Sequence, residues 1–293
     1  MPFVVQFPHP GREHRPSPPE VGTVMPWNRD LHGRKFLRSR AQYLDRTGHH
    51  AGEVAFWGEW EAQSRVLDVW AKEGSKPRFL HEPFHEAPPD GLDHQNIDPF
   101  VFGDSFLYTN CKQLNNSKLR RLTLGSLVLF GSGTGQGFVL DTVFVVGDDP
   151  LLPYEVGERD VLPDRPETDP LIFRPLSTST QHLGMGCVVV RSRPYEAADE
   201  RPFSFVPCRS RDAQDVRFPR PLLEPVGPLQ GLVNPKLFMG TRVTEVEAEV
   251  VAAAWRHVRA VVEAQELALA VRLAVPPPAV NRLQQAAATG RTC

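Results

Sequence analysis

Polar and aromatic side chains alternate closely between residues 95 and 113, with two tryptophans upstream. The residues with base-binding chemistry are Trp57, Trp60, Asn96, Phe100, Tyr108, Asn110 and Gln113. Aromatic rings stack on the faces of a flat heteroaromatic ligand, while amide groups pair with its edge. The stretch therefore predicts a binding site for a flat ring, such as a nucleobase flipped out of its strand.

Three aspartates are candidates for catalysis at such a site: Asp98, Asp104 and Asp141. Cleavage of an N-glycosidic bond needs a carboxylate, which either stabilises an oxocarbenium-like sugar or activates water. A structural interpretation competes with this one. In it the rings fill a β core, and the pairs Asp98-Pro99 and Gly103-Asp104 form turns.

Basic residues are concentrated in two segments, although the formal net charge of the chain is only −2. Residues 1–50 hold eight Lys/Arg against four acids, together with five histidines, and residues 112–121 hold four Lys/Arg and no acid. Two basic segments on one face suit a phosphate backbone, whereas solvated surface charge is the alternative. The predicted phosphate-binding residues are Arg34, Lys35, Arg38, Lys112, Arg120 and Arg121.

The segment His81-Glu82-Pro83-Phe84-His85 matches the H-E-x-x-H zinc motif letter by letter. That chemistry needs a helix, because both imidazoles must lie one turn apart on one face. Pro83 inside the motif opposes a helix. We therefore expect two histidines of a surface loop and no zinc.

A glycine-rich segment, residues 131–137, follows an apolar strand as a phosphate-binding loop would. It lacks the Gly-Lys-Ser/Thr sequence and the following helix that such a loop requires. The residues after it, FVLDTVFVV, have the composition of a strand. The segment therefore predicts a hairpin connection.

The four cysteines are scattered along the chain with no C-x-x-C pair. This spacing opposes a disulfide framework and a cysteine-rich zinc module, and makes a reducing cytoplasm the default location. Cys111 lies next to Lys112 and is a candidate nucleophile; the alternative is a buried, unreactive cysteine in a strand. We expect no cofactor and no metal.

Short strands are predicted through most of the chain, in keeping with its 22 glycines and 29 prolines. The predicted strands are 3–7, 54–62, 105–111, 127–130, 138–146, 187–190 and 203–207. Residues 30–45 fit either a basic helix turn or an extended arm. Residues 74–99, 147–170 and 217–235 are predicted to be irregular.

The C-terminal region has the pattern of a helix. Thr244 and Glu247 have the spacing of a capping box, and apolar residues recur at helical spacing from Val246 to about Ala274. Pro276 and the prolines after it end the segment. A helix of this length would pack on the sheet or against a second copy of itself.

Residues 119–130, with the sequence LRRLTLGSLVLF, resemble the leucine-spaced turn, glycine and apolar strand of PUA-like barrels. This group includes EVE, ASCH and YTH domains. With the flanking strands the resemblance covers about residues 50–150. It implies a barrel that holds a modified base in an aromatic pocket formed by Trp57, Trp60 and Tyr108.

The chain of 293 residues has 41% hydrophobic and 23% charged residues, which is typical of a globular protein. It shows no apolar run of the roughly 18 residues that a membrane span needs, and its first residues do not resemble a signal peptide. We expect a β-rich α+β protein: a PUA-like barrel core with long irregular loops and a long C-terminal helix. The expected organisation is a basic strand and arm (1–50), a β-rich core (51–240), the helix (241–275) and a tail (276–293).

The predicted function is recognition of a modified base in nucleic acid, with DNA favoured. If the protein is an enzyme, the predicted activity is that of a hydrolase of the DNA glycosylase type. One alternative is a non-catalytic interaction protein that dimerises through residues 244–274. Another is an enzyme that acts on a small nucleotide metabolite. The composition leaves the choice of base and of DNA or RNA open.

Overall fold

The computed structural model describes residues 1–9, 11–29, 32–85, 97–108, 117–147, 152–154 and 187–279. This part of the chain is rich in strands, as the sequence predicts. The strands are β1 Phe3–Pro8, β2 Val24–Met25, β3 Lys35–Asp45, β4 Gly48–Gly58, β5 Ser64–Val69, β6 Phe79–Pro83, β7 Leu107–Tyr108, β8 Leu127–Gly133, β9 Phe138–Val145, β10 Leu152–Tyr154, β11 Cys187–Arg191, β12 Val206–Ser210, β13 Leu222–Leu223, β14 Arg242–Glu245 and β15 Ala268–Leu273. The helix α1 spans Ala248–Ala264, and short 3-10 turns span Leu119–Arg121 and Gly227–Leu229.

Strand β3 is the centre of the largest sheet, whose order is β15-β12-β4-β3-β6-β5-β2. It pairs along its whole length with β4, from Lys35 opposite Gly58 to Asp45 opposite Gly48. Its other edge pairs with β6 near its start and with β15 near its end. Because β12 joins β4 to β15, the strands β3, β4, β12 and β15 form a closed circuit of pairings. The sheet is therefore curled, while a PUA-like topology remains a prediction.

The second sheet has the order β13-β9-β8-β1-β14. Strands β8 and β9 form an antiparallel hairpin, and β1 runs parallel to β8. The glycine-rich segment makes the connection, where Thr134 N donates to Gly137 O at 3.0 Å and Gly135 has a φ of +85°. A left-handed backbone at this position favours glycine. The predicted hairpin is thus confirmed.

The predicted C-terminal helix is wrong in length. Helix α1 ends at Ala264, and β15 follows after a turn in which Glu266 has a φ of +56°. Strand β15 pairs with β12 and β3 inside the core, where mostly apolar residues are required. Its apolar sequence therefore has the same composition as a continuation of the helix would have. The capping box is also wrong: Thr244 lies in β14, and Glu247 makes no side-chain cap.

Helix α1 buries one face on the β core of its own chain. The buried residues are Val251, Ala254, Trp255, Val258 and Val262. The indole Nε1 of Trp255 donates to Phe203 O at 2.9 Å. This face is therefore covered within one chain, and a homodimer through residues 244–274 remains a prediction.

Regions predicted as irregular or undecided contain strands. Residues 35–45 form β3, so this part of the segment is extended and is not a helix turn. Strand β6 lies within the predicted 74–99 loop, and β13 lies within 217–235. Both strands are short and contain proline or lie next to it, so local sequence gives little sign of their pairing.

Candidate metal centre

Charged side chains are buried together where β1 and β4 end and β3 begins. The cluster consists of His9, His14, His32, Arg34, Lys35, Glu59, Glu61, Asp141 and Arg220. The side chains of Glu59 and Glu61 are 4% and 0% exposed. Buried charge is costly unless it is paired or bound to a metal, so this cluster is the strongest candidate for function.

The β3–β4 hairpin brings the two halves of the cluster together. Lys35 faces Gly58 in the antiparallel pair, so the residues just before β3 lie beside those just after β4. His32 and Arg34 come from the first group, and Glu59 and Glu61 come from the second. The two glutamates are two residues apart, the spacing that places both side chains on one side of an extended chain.

The N-terminal segment supplies the remaining histidines. His9 continues β1, since its N–H donates to Gly131 O at 2.8 Å. His14 N donates to Arg34 O at 2.8 Å, which places the segment alongside the start of β3. A Cβ atom on Gly33 would lie 2.9 Å from the His14 ring, so glycine at this position permits the close approach.

Three ligand atoms of the kind that bind metals converge in this cluster. His32 Nδ1 lies 3.6 Å from Glu59 Oε1 and 3.5 Å from Glu61 Oε1. One ligand atom from each of the three residues lies within 4.8 Å of the other two. A metal held tetrahedrally at about 2.1 Å needs ligand atoms roughly 3.4 Å apart. The spacing therefore fits a single metal ion.

The remaining carboxylate atoms are held by neighbours. Glu59 Oε2 accepts a hydrogen bond from His9 Nδ1 at 2.6 Å and lies 3.1 Å from Arg34 Nη1. Gly33 N donates to Glu61 Oε1 at 3.3 Å, and His14 Nε2 lies 3.3 Å from Glu61 Oε2. Such partners orient a ligand carboxylate and hold its free oxygen toward a metal.

Four buried atoms of this cluster have no hydrogen-bond partner among the described residues. They are His14 Nε2, His32 Nδ1, Glu59 Oε1 and Glu61 Oε2. A buried polar atom without a partner costs about 1–3 kcal/mol. Because His32 Nδ1 and Glu59 Oε1 are also two of the converging ligand atoms, their lack of partners points to a bound ion.

The surroundings keep both glutamates ionised. Burial by itself raises the pKa of Glu61, but the imidazoles of His14 and His32, 3.3 and 3.5 Å from its oxygens, outweigh it and lower the pKa to about 2. Burial likewise opposes ionisation of Glu59, and the charges of His9 and Arg34 lower its pKa in spite of it. The carboxylate of Glu61, 3.5 Å away, raises the pKa of His32. A metal ion and a proton on His32 would therefore compete for the same carboxylates.

Of the three predicted catalytic aspartates, Asp141 lies in the cluster. Its Oδ2 accepts a hydrogen bond from Arg34 Nε at 2.6 Å, and its Oδ1 accepts one from Arg220 at 3.2 Å. Asp98 is buried in the segment whose Pro99 lines a cavity of ≈ 10 Å³ with Arg34, Glu59 and Asp141. Asp104 is 80% exposed and pairs with Arg272. The three aspartates therefore do not form one site.

The predicted base-binding rings are core residues in the described structure. Trp57, Trp60, Phe100 and Tyr108 are between 0% and 6% exposed. The indoles of Trp57 and Trp60 donate to backbone carbonyls, those of Phe218 and Gln63. These rings therefore occupy the positions that the interpretation as core assigns to them. Asn96, Asn110 and Gln113 lie outside the described residues.

The predicted phosphate-binding residues divide into three groups. Arg34 and Lys35 are 1% and 0% exposed, which is at odds with a surface contact to a phosphate backbone. Arg38 is half-buried and pairs with Glu82 at 2.9 Å. Arg120 and Arg121 are exposed, as the prediction requires, and Lys112 lies outside the described residues.

The H-E-x-x-H segment lies on strand β6 and its end, so the expected surface loop is wrong. His81 and His85 are 0% and 4% exposed. Four residues of extended chain span roughly 13 Å, too far for two imidazoles to hold one ion. Buried His81 instead faces Ser64, whose Oγ lies 3.4 Å from His81 Nδ1.

Six residues of the cluster are absent from the set predicted from the sequence: His9, His14, His32, Glu59, Glu61 and Arg220. Two signals could have indicated the histidines and the glutamates. Three of the histidines fall within the first 32 residues, and the glutamates stand at i and i+2 within the predicted strand 54–62. The distance along the chain between the two groups hides their contact.

No protein-family model, curated protein or solved structure matches this chain. The resemblance of residues 50–150 to PUA-like barrels therefore stays a prediction. Within the described residues, no helix combines the length and the apolar character that crossing a membrane requires. The metal-type geometry of the buried cluster is accordingly the basis for a functional proposal.

Proposed function

We propose that this protein is a metalloprotein that binds one divalent transition-metal ion through His32, Glu59 and Glu61. The observation that carries the proposal is the pair of buried atoms His32 Nδ1 and Glu59 Oε1. They lie 3.6 Å apart, and neither has a hydrogen-bond partner among the described residues. Glu61 completes the set on the same side of the chain.

The donor set favours particular metals. One imidazole nitrogen and two carboxylate oxygens suit Mn²⁺, Fe²⁺ or Zn²⁺, whereas soft ions such as Cu⁺ prefer thiolates and thioethers. The described cysteine, Cys208, is buried, and burial raises the pKa of its thiol. We therefore expect Mn²⁺, Fe²⁺ or Zn²⁺ at the site.

Three protein ligands leave coordination positions open, which is the arrangement of catalytic rather than structural metal sites. An ion bound in this way lowers the pKa of coordinated water and polarises a bound oxygen. His9, Arg34 and His14 would hold the carboxylates in place during such chemistry, because they already contact Glu59 and Glu61.

Metal content and affinity test the proposal. The protein, freed of any histidine tag and of metal by chelation, is titrated with Mn²⁺, Fe²⁺ or Zn²⁺ and its metal content is measured by mass spectrometry. We expect one ion per chain. His32→Asn, Glu59→Gln and Glu61→Gln should each weaken binding about a hundredfold or more, since each removes a ligand atom.

His50→Asn is the matched control, because His50 also contacts a carboxylate, Asp45 at 3.0 Å, but lies on the surface. Circular dichroism of each variant checks that it folds. The proposal fails if the folded wild-type protein takes up none of the three ions. It also fails if the ligand variants bind metal as tightly as His50→Asn does. Either result would make His32 a protonated partner of the two glutamates.

Recognition of a modified base remains a hypothesis from the sequence. The exposed Arg120 and Arg121 are compatible with it. The buried positions of Trp57 and Tyr108 give it no support, because a stacked base needs an accessible ring. We therefore rank it below the metal centre.

A further inference from the structure

The fixed charges of the buried cluster cancel without a metal ion. Its cations are Arg34, Lys35 and Arg220, and its anions are Glu59, Glu61 and Asp141. Asp141 is shared between the two arginines, and Arg34 also reaches Glu59 at 3.1 Å. Three positive and three negative charges therefore leave a sum of zero.

A divalent ion would add two positive charges that no described side chain of the cluster compensates. The carboxylates that would bind the ion already face cationic groups: Arg34 Nη1 lies 3.1 Å from Glu59 Oε2, and the buried ammonium of Lys35 donates to the carbonyl of Ala62, the residue after Glu61. Protonation of His9 or His14 would make the net charge of the metal-bound cluster still more positive. Uncompensated charge is expensive where the side chains are buried, since solvent screens it poorly.

The cluster is open to solvent at one ligand. The side chain of His32 is 28% exposed, while the side chains of Glu59 and Glu61 are almost completely buried. The segments that carry the histidines also hold exposed arginines, namely Arg12, Arg15 and Arg29. Of these, Arg12 lies next to the cluster along the backbone, because its carbonyl accepts a hydrogen bond from Arg34 N at 2.7 Å, and its positive charge favours the approach of an anion.

We infer that the metal ion binds together with an oxyanion, which occupies the open coordination positions and balances the charge. The substrate or ligand of this site would then present a phosphate or carboxylate oxygen to the metal. This inference rests on the proposed metal centre. It adds that metal and oxyanion bind cooperatively, so that each raises the affinity for the other by the same factor.

Mn²⁺ affinity measured with and without an oxyanion tests the inference. Free Mn²⁺ is monitored by electron paramagnetic resonance at pH 7 in chloride, in 1 mM inorganic phosphate and in 1 mM acetate, with protein-free solutions correcting for complexes formed by the anions alone. We expect phosphate or acetate to tighten Mn²⁺ binding at least about tenfold. The stronger of the two identifies the class of oxyanion.

Two variants that change the charge without removing a ligand sharpen the test. Lys35→Met removes one positive charge and keeps the shape of the buried chain, so it should reduce the dependence on the oxyanion. Asp141→Asn removes one negative charge and should increase that dependence. Opposite shifts are the expected signature, because a purely structural effect of either substitution would weaken binding in all three solutions alike.

The possible failures are distinguishable. Equal Mn²⁺ affinity in chloride, phosphate and acetate overturns the inference and leaves the metal centre intact. Absence of Mn²⁺, Fe²⁺ and Zn²⁺ binding in every solution overturns the metal centre itself. A dependence on the oxyanion that is the same in Lys35→Met, Asp141→Asn and wild-type protein would contradict the charge-balance explanation.

Discussion

Glu59 uses its two carboxylate oxygens differently. Oε2 accepts a hydrogen bond from His9 and lies beside Arg34, whereas Oε1 faces His32 without a hydrogen-bond partner among the described residues. In Glu61, Oε1 accepts a hydrogen bond from Gly33 N, and His14 Nε2 lies 3.3 Å from Oε2. The two glutamates are therefore oriented by neighbours, and these neighbours should tune the affinity for a metal.

His9→Phe tests this tuning. We expect the variant to bind one metal ion per chain with an affinity lowered about 10–100-fold, because Glu59 loses the partner that orients it. The ring of His9 also packs on Phe7 with centroids 5.1 Å apart, and phenylalanine preserves that contact. Unchanged affinity in a folded variant would show that His9 fills space only, and a complete loss of binding would make it a ligand.

Lys35 illustrates the free-energy cost of burying a charged group in this cluster. Its ammonium group is fully buried and donates to Ala62 O at 3.0 Å. Burial lowers the pKa of this amine to about 8, although the charge of Glu61 opposes the effect. Ionisable groups with strongly shifted pKa values are typical of functional sites, and Lys35 fits that pattern.

At the scale of elements, β15 closes the curled sheet. It pairs with β12 through Val206 opposite Ala270 and with β3 through Leu44 opposite Leu269. Without β15, strands β3 and β12 would expose unpaired edges and an apolar surface. Strand β3 in turn leads directly from the metal-binding segment, so closure of the sheet also holds the site.

Truncation tests the contribution of β15 to folding separately from that of α1. A chain ending at Ala264 keeps α1 and loses β15, and we expect it to aggregate because open sheet edges and core residues become exposed. A chain ending at residue 279 keeps both elements and should match the full-length protein in solubility and melting temperature. A soluble 1–264 chain with an unchanged melting temperature would show that β15 is dispensable.

At the scale of the whole molecule, Arg34, Lys35 and Arg38 do not belong to the open basic surface that the sequence suggests. Arg34 and Lys35 are enclosed in the cluster, and Arg38 pairs with Glu82. Arg120 and Arg121 lie on the exposed turn before β8. Among the predicted phosphate-binding residues that the structure describes, these two are the ones exposed to a nucleic acid.

The double variant Arg120→Ala/Arg121→Ala tests a role in nucleic-acid binding. If the protein binds nucleic acid, the variant should weaken binding to normal, methylated and glycosylated strands alike. It should also reduce the salt dependence by roughly one unit per lost phosphate contact. Arg256→Ala, on the exposed side of α1, is the control. The nucleic-acid hypothesis is abandoned if the wild-type protein binds no strand of the panel above background.

Local sequence by itself determined the β-rich class and several elements. Strands β1, β8 and β9 and the hairpin at Gly135 follow from alternating apolar residues and from turn chemistry, which act between near neighbours. The same rules assigned β15 to a helix. A strand that is buried on both faces has no polar alternation to distinguish it.

Only the tertiary structure decided where the chemistry lies. Asp141 is among the residues predicted from the sequence, yet its partners Arg34 and Arg220 stand 107 and 79 residues away along the chain. Pairing of β3 with β4, and of β1 with β8, brings these side chains together. In the folded chain Trp57 and Tyr108 lie in the core, whereas the histidines and glutamates form the candidate metal centre. The reason is physical, since burial and long-range pairing depend on the whole chain, whereas a motif records only neighbours.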